Sequence, residues 1–240
     1  YKRQELYHAI GRGASFSEHP DQRNPAKLSL AQVLVVARVS KTLAFTLVDS
    51  AAIFADQVVA FAFSNAADFA LLQSSIHGVF AWQHSSKLKS DLRYSPSDAF
   101  ETFPLPGTYG PFLENLGESY YSLRLQIMRA ARIGLTRLYR RFHDPGMADK
   151  GIHGLRTVRI SIDQSVARAY GWDDLDLGHG FHEVPYLPVN DRVRFTISES
   201  ARIEVLRRLS ELNRQRYEDE VARGLHGGTV NERRMSRGRR

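Results

Sequence analysis

Cysteine is absent from all 240 residues. That excludes a disulfide framework, a thiolate zinc site and a thiol nucleophile. It fits a reducing compartment, and a cytoplasmic location is expected. Long hydrophobic runs are also missing. No stretch of about 18 apolar residues occurs, so no membrane-spanning helix is expected. A secretory leader pattern is absent too. Gly-x-Ser-x-Gly does not occur, which removes the nucleophile elbow. Neither Glu-x-Lys nor Asp-x-Lys occurs, and a metal-dependent nuclease of the PD-(D/E)xK type needs one of them. No internal repeat is visible. The chain opens on Tyr1 rather than Met, and a piece of a longer polypeptide is expected.

Positive charge is what the chain has in excess. Lysine and arginine number 33 against 26 acids, the net charge is +7 and the pI is about 9.8. Such a balance favours a polyanionic partner, nucleic acid before membrane. The excess is local. No acid lies between Ser119 and His143, a span that holds Arg124, Arg129, Arg132, Arg137, Arg140 and Arg141. Leu123, Ile127, Ala131, Leu135, Leu138 and Phe142 recur there at helical spacing. A one-sign helix is unusual for a merely solvated surface. Phosphate contact, packing against acidic parts of the same enzyme, and no role at all stay open. Residues 201–240 add 11 arginines against 6 acids.

Taken in order, residues 1–30 are polar and broken by Gly11, Gly13, Pro20 and Pro25, and read as a linker. VLVVARV and LAFTLV, split by Ser40-Lys41-Thr42, read as two paired strands. Arg38 and Ser40 share parity and point away from Val39; with Lys41 they are candidate contacts to a phosphate backbone. Ile53 to Phe63 is further strand. Ser64-Asn65 caps a helix with Asp68 at its third position and a core stripe of Phe69, Leu72, Ile76 and Phe80. His77 beside that stripe reads as a satisfied core-edge histidine. Gly107 to Gly117 is a Pro/Gly-rich joint. Beyond it lie the arginine-rich helical region, a helix over 150–170, a short extended piece from Asn190, and a helix capped by Ser198. That last helix is expected to place Ile203, Leu206, Leu209 and Leu212 on one face. Asp174-x-Asp176-x-Gly178 mimics the start of a calcium loop, but Pro185 stands where the closing Glu belongs. His179 and His182 have no companion ligand pattern, so no metal site is expected. The end of the chain is low in apolar residues and reads as a disordered basic tail.

The stretch from Ser86 to Pro106 is the centre of this reading. Lys87, Lys89, Asp91 and Arg93 alternate, so on an extended strand they form one row. Leu88, Leu92 and Tyr94 take the other face. Two prolines, Pro104 and Pro106, end the stretch.

The segment LKSDLRYSPSDAFETFPLP resembles one near the end of MmeI-like DNA methyltransferases and Type IIG restriction-modification enzymes. There an R-Y-S followed by N/E-T-F-P-x-P closes the target recognition domain. Here these are Arg93-Tyr94-Ser95 and Glu101-Thr102-Phe103-Pro104-Leu105-Pro106. The likeness continues through Leu135–Pro145, Ala169–His182 and Asn190–Ser198, and spans roughly residues 33 to 213.

The resemblance implies an α+β fold. A mixed-sheet target recognition domain with a packed helix would fill 31–106. A mainly helical region would fill 107–222, after a linker over 1–30 and before a tail over 223–240. It further implies a sequence-reading segment of an adenine-N6 DNA methyltransferase in a restriction-modification or phage-defence system. The partners would be double-stranded DNA and an N-terminal methyltransferase domain, with no membrane. S-adenosylmethionine would bind that other domain, since the F-x-G-x-G and N-P-P-Y motifs of this group are absent here; Asn24-Pro25-Ala26-Lys27 is no substitute. A nuclease could also be attached. A stand-alone specificity or assembly subunit is the alternative, and an RNA-binding module lacks an RNP1-like signature. In the major groove, lysine donates to guanine and aspartate accepts from cytosine N4. Lys89 is therefore expected on the guanine of a G·C pair, Asp91 on its cytosine, and Arg93 on a neighbouring base or phosphate. Lys87, Arg132 and Arg137 join Arg38, Ser40 and Lys41 as backbone contacts. No residue here is expected to be catalytic.

Overall fold

A computed structural model describes residues 30–224, so the expected linker and all but the first two residues of the expected tail lie outside the described residues. Strand β1 (Gln32–Ala37) runs antiparallel between β3 (Thr46–Asp49) and β4 (Val58–Phe61). Val33 to Val36 are all buried because both faces of β1 are covered. Leu34 and Val36 enter the main core, while Val33 and Val35 meet Phe54 in a smaller cluster behind. The chain bends at Arg38 and continues as β2 (Val39–Ser40), which joins a second sheet with β5 (Ser86–Leu88) and β6 (Asp91–Arg93) in the order β2-β6-β5.

Asn65 caps α1 (Ala66–Gln73) by accepting from the Asp68 amide at 2.7 Å. The helix expected to run unbroken past Phe80 is interrupted at Ser74. Its hydroxyl donates to the Leu71 carbonyl and accepts from the His77 amide, closing α1 and opening α2 (Ser75–His84). Phe69, Leu72, Ile76 and Phe80 are nonetheless all buried. A short α3 (Pro96–Ala99) leads into Phe100, Phe103, Pro104 and Pro106, also buried.

Helix α4 (Pro111–Ala131) begins inside the expected joint. Gly117, expected in a loop, lies within α4 against the Ala66 carbonyl of α1. The Glu114 carboxylate accepts from the Ala66 and Ala67 amides, where the α1 dipole favours negative charge. Leu113, Gly117, Tyr120 and Arg124 form the buried stripe of α4. Arg124 is therefore no surface decoration. It is 1% exposed, donates to the Phe45 carbonyl at 2.7 Å, and lies over the Phe69 and Tyr121 rings. Three- and four-residue spacing from Gly117 and Tyr120 puts it on the inner face.

The arginine-rich region is not one helix. Arg132 takes a left-handed φ of +49° and ends α4, and Gly134 opens α5 (Leu135–Phe142). Helix α6 (Lys150–Ala169) buries Leu155, Ile162 and Val166, and with them Arg156, Arg159 and Asp163. Arg156 donates to the carbonyls of Arg141, Phe142, Asp144 and Met147, so its buried charge closes the C-terminus of α5. A hairpin, β7 (Gly180–Glu183) and β8 (Val193–Thr196), precedes α7 (Glu199–Ala222), which Ser198 caps. The inner face of α7 is Ala201, Val205 and Leu209; Ile203, expected inside, is 55% exposed. Its i, i+4 register follows from Ala201 and Val205 rather than from the leucines.

One hydrophobic cluster extends from Leu34 and Phe45 through Phe69 and Tyr120 to Leu155 and Leu209. Two sheets precede the Gly107–Gly110 connection and one follows it. Among the described residues no helix is long and apolar enough to cross a membrane.

Candidate nucleic-acid interface

The expected row of Lys87, Lys89, Asp91 and Arg93 does not exist as a row. The chain reverses at Lys89-Ser90, with Lys89 at a left-handed φ of +58°, so β5 and β6 form a hairpin. Nothing local announces this turn, which has no Gly, Asn or Asp at its centre. Register decides the faces. Lys87 pairs with Leu92, and Ser40 pairs with Leu92 on the other side. Arg93 pairs with Ser86 and Val39, and Asp91 pairs with Leu88. Directly paired residues share a face of an antiparallel sheet. Asp91 and Arg93 therefore share one face with Ser86, Leu88 and Val39, and Lys87 lies on the opposite one. Lys89 sits at the tip between them. Leu92 and Tyr94 are buried as expected, whereas Leu88 is 52% exposed.

What holds the hairpin is behind it. Tyr94, next to Arg93, accepts no solvent contact and shares a hydrogen bond with His77 Nε2 at 3.2 Å. His77 Nδ1 is 2.8 Å from the Leu72 carbonyl. A carbonyl only accepts, so Nδ1 carries the proton and Nε2 accepts from the Tyr94 hydroxyl. Burial pushes the His77 imidazole down to about 4, which keeps it neutral. The Tyr94 amide donates to the Arg38 carbonyl at 2.7 Å, tying β6 to the bend between the sheets.

The other candidates divide in two. Arg38 lies at that bend, its Nε donating to the Asp56 carbonyl. The Ser40 hydroxyl donates to the Thr42 carbonyl at 2.9 Å and accepts from the Thr42 amide. Its proton is thus spent in a local turn, which leaves phosphate donation to its neighbours. Lys41 pairs with Asp191 at 3.5 Å. Lys87 lies over the Tyr186 ring, 5.6 Å from its centre, and Tyr186 in turn packs on Trp82. Arg38, Ser40 and Lys41 are thus brought beside the hairpin through β2. Arg132 and Arg137 are exposed on the α4 cap and α5, and no described contact joins them to it.

Tyr186 and Asp191 escaped the sequence reading. They come from the segment between β7 and β8, 99 residues after Lys87 and 150 after Lys41 respectively, and no local pattern marks either pairing. His179 and His182 are structural: His179 pairs with Asp163 at 2.9 Å and His182 meets the Gly178 carbonyl. No group of three potential metal ligands occurs among the described residues.

A small antiparallel module thus holds a charged hairpin out to solvent, buttressed by helices on a common core. Residues 9–107 match the family model described as the MmeI target recognition domain. Among solved structures, the chain is similar in fold to the Type IIL restriction-modification enzyme MmeI in complex with DNA, with a TM-score of 0.50 and 17% identity. That likeness covers 77% of this chain and 21% of the other, so the chain spans about a fifth of that enzyme. No curated protein matches the sequence.

Proposed function

We propose that the chain reads DNA sequence on behalf of an adenine-N6 methyltransferase, in a restriction-modification or phage-defence enzyme of which it is one segment. The observation that carries the reading is the exposed β5–β6 hairpin within the stretch that matches the target recognition family. Lys89 at its tip and Asp91 at the start of β6 are adjacent polar ends of opposite chemistry. A two-stranded ribbon fits the major groove, where lysine donates to guanine O6 or N7 and aspartate accepts from cytosine N4. Arg93 then takes the next base or a phosphate. Arg38, Lys41 and Lys87 hold the backbone from the flanks, and Arg132 and Arg137 from the helical side.

Methyl transfer belongs elsewhere in this reading. The chain has neither the F-x-G-x-G turn nor the N-P-P-Y loop, so its residues do not fit S-adenosylmethionine. The cofactor would sit in a methyltransferase domain of the same polypeptide or complex, which would also flip the adenine from the stack. The same hairpin would serve a separate specificity subunit equally well.

The test is charge reversal at the tip, Lys89→Glu with Asp91→Arg, in the complete enzyme. Methylation is expected to move to a site changed at one base pair, or to vanish at the native site. An enzyme that still modifies its original site at the original rate refutes the assignment.

A further inference from the structure

Among the described residues three buried guanidiniums, Arg124, Arg156 and Arg159, bond no carboxylate; carbonyls satisfy Arg156, while the other two keep buried N–H groups without a hydrogen-bond partner. Arg159 is 9% exposed; one Nη donates to the Tyr120 hydroxyl at 2.8 Å, and its Nε has no partner. Behind it Arg124 leaves Nε and one Nη without partners. Asp163 is near Arg159 but is already engaged, accepting from the Ser75 amide at 2.7 Å and pairing with His179. A buried guanidinium without a counter-charge is costly, and proteins ordinarily pair it. The protein supplies phenols instead. Burial pushes the Tyr120 phenol up; at Tyr139 the same burial is outweighed by Arg124 and Arg159, which lower it.

Arg159 lines a cavity of about 100 Å³. Tyr139 and His143 share its wall with Arg159; Lys41, Trp82 and Arg194 also line it, beside apolar residues such as Val79, Phe142, Leu187 and Phe195. That volume is room for a small oxyanion. Arg194 and Lys41 share one acid, Asp191, so the lining keeps an excess of positive charge. His143 stays neutral: burial lowers its pKa, and Arg194, Arg159 and Arg156 lower it further, while its Nδ1 accepts from the Phe195 amide. The cavity therefore offers two guanidiniums and a hydroxyl from three separate elements, α6, β8 and α5, with the ammonium of Lys41 alongside. Gln73, Ser74 and Ser75 of the α1–α2 break also line it.

We propose that this cavity is an oxyanion site, taking a phosphate-class anion between the Arg159 and Arg194 guanidiniums. The anion is either free phosphate or a backbone phosphate of bound DNA. Only the second source rests on the DNA reading, so the site stands or falls without it.

Trp82 reports on the cavity. The chain has two tryptophans, and Trp172→Phe leaves Trp82 as the single one, excited selectively over tyrosine. Inorganic phosphate is titrated at constant ionic strength, with chloride as the replaced anion. A saturable change in Trp82 emission is expected, with a midpoint in or below the millimolar range, about −4 kcal/mol at 1 mM. Arg194→Gln should weaken binding about tenfold by removing a charge-assisted partner. Arg214→Gln, on the exposed face of α7, should leave it unchanged. Phosphate should also raise the melting temperature of the parent protein and not that of Arg194→Gln. Repeating the titration with saturating duplex separates the sources. A backbone phosphate in the cavity abolishes the phosphate response, and free phosphate leaves it intact. A response that is linear and equal for chloride and phosphate, or identical in the Arg194→Gln protein, overturns the proposal.

Discussion

Replacing Gly117 by alanine sets helix propensity against packing, and the structure decides the sign. Alanine is favoured over glycine inside a helix by about 1 kcal/mol. At Gly117, however, a Cβ would sit 2.0 Å from the Ala66 carbonyl oxygen and 2.7 Å from its carbon. Carbon and oxygen normally meet at about 3.3–3.6 Å, so α4 and α1 must separate by more than about 1 Å. Both atoms it meets are backbone, and no side-chain rotation relieves the contact. Overpacking of this kind costs about 1–3 kcal/mol. Separation also draws Glu114, on the preceding turn, away from the Ala66 and Ala67 amides it accepts from at 2.9 and 3.1 Å. Loss of such hydrogen bonds to a charged group costs about 1.5–3 kcal/mol. With the propensity gain subtracted, Gly117→Ala should destabilise by about 2–4 kcal/mol and lower the melting temperature on the order of 10 °C. Gly154→Ala in α6 is the control, because its Cβ would meet only a Leu123 methyl at 3.4 Å. It should be neutral or slightly stabilising. Thermal unfolding followed by circular dichroism measures both. A Gly117→Ala protein that melts at or above the parent temperature refutes the close approach of α1 and α4.

Two further outcomes are expected. His77 titrates near 6.5 when unfolded and about 4 when folded, so only the unfolded chain gains the proton between those values. Its contribution is complete above pH 6.5 and falls as pH drops, by about 2.5 kcal/mol between pH 7 and pH 4.5. Urea midpoints at both pH values, compared between the parent and His77→Gln, should show that much less pH dependence in the variant; equal slopes would remove the buried neutral imidazole. Arg132→Ala with Arg137→Ala should weaken binding to all DNA sequences alike and flatten the salt slope by about one per lost phosphate contact. An unchanged slope assigns these arginines away from DNA.

The sequence by itself determined the α+β class and most of the elements. Their signals are local: the β-branched runs of β1 and β3, Asn65 three residues before Asp68, the stripe from Phe69 to Phe80, and Ser198 ahead of α7. The motif from Arg93 to Pro106 was also legible, and residues 9–107 match the family that it pointed to. Period-two alternation from Lys87 to Arg93 was a true pattern read on the wrong backbone. A turn at Lys89 carries no residue signature, and one reversed peptide moves Lys87 to the other face.

What only the tertiary structure decided is where the charges go. Arg124, Arg156, Arg159 and Asp163 look like surface residues in any window of the sequence, yet all are buried. Each is carried inward by a helix whose apolar neighbours set its rotation; Arg156 bonds the nearby end of α5, and the other three find partners far away in the chain: Phe45 for Arg124, Tyr120 for Arg159, Ser75 for Asp163. The pairings of Lys41 with Asp191 and Lys87 with Tyr186 arise the same way, from the packing of the β7–β8 segment onto the sheet of β2, β5 and β6. Local sequence encodes which residues share a helix face or a strand. It does not encode which faces meet, because that depends on contacts between residues far apart in the chain, and those contacts determine whether an arginine is a free charge at the surface or a buried one held by carbonyls and phenols.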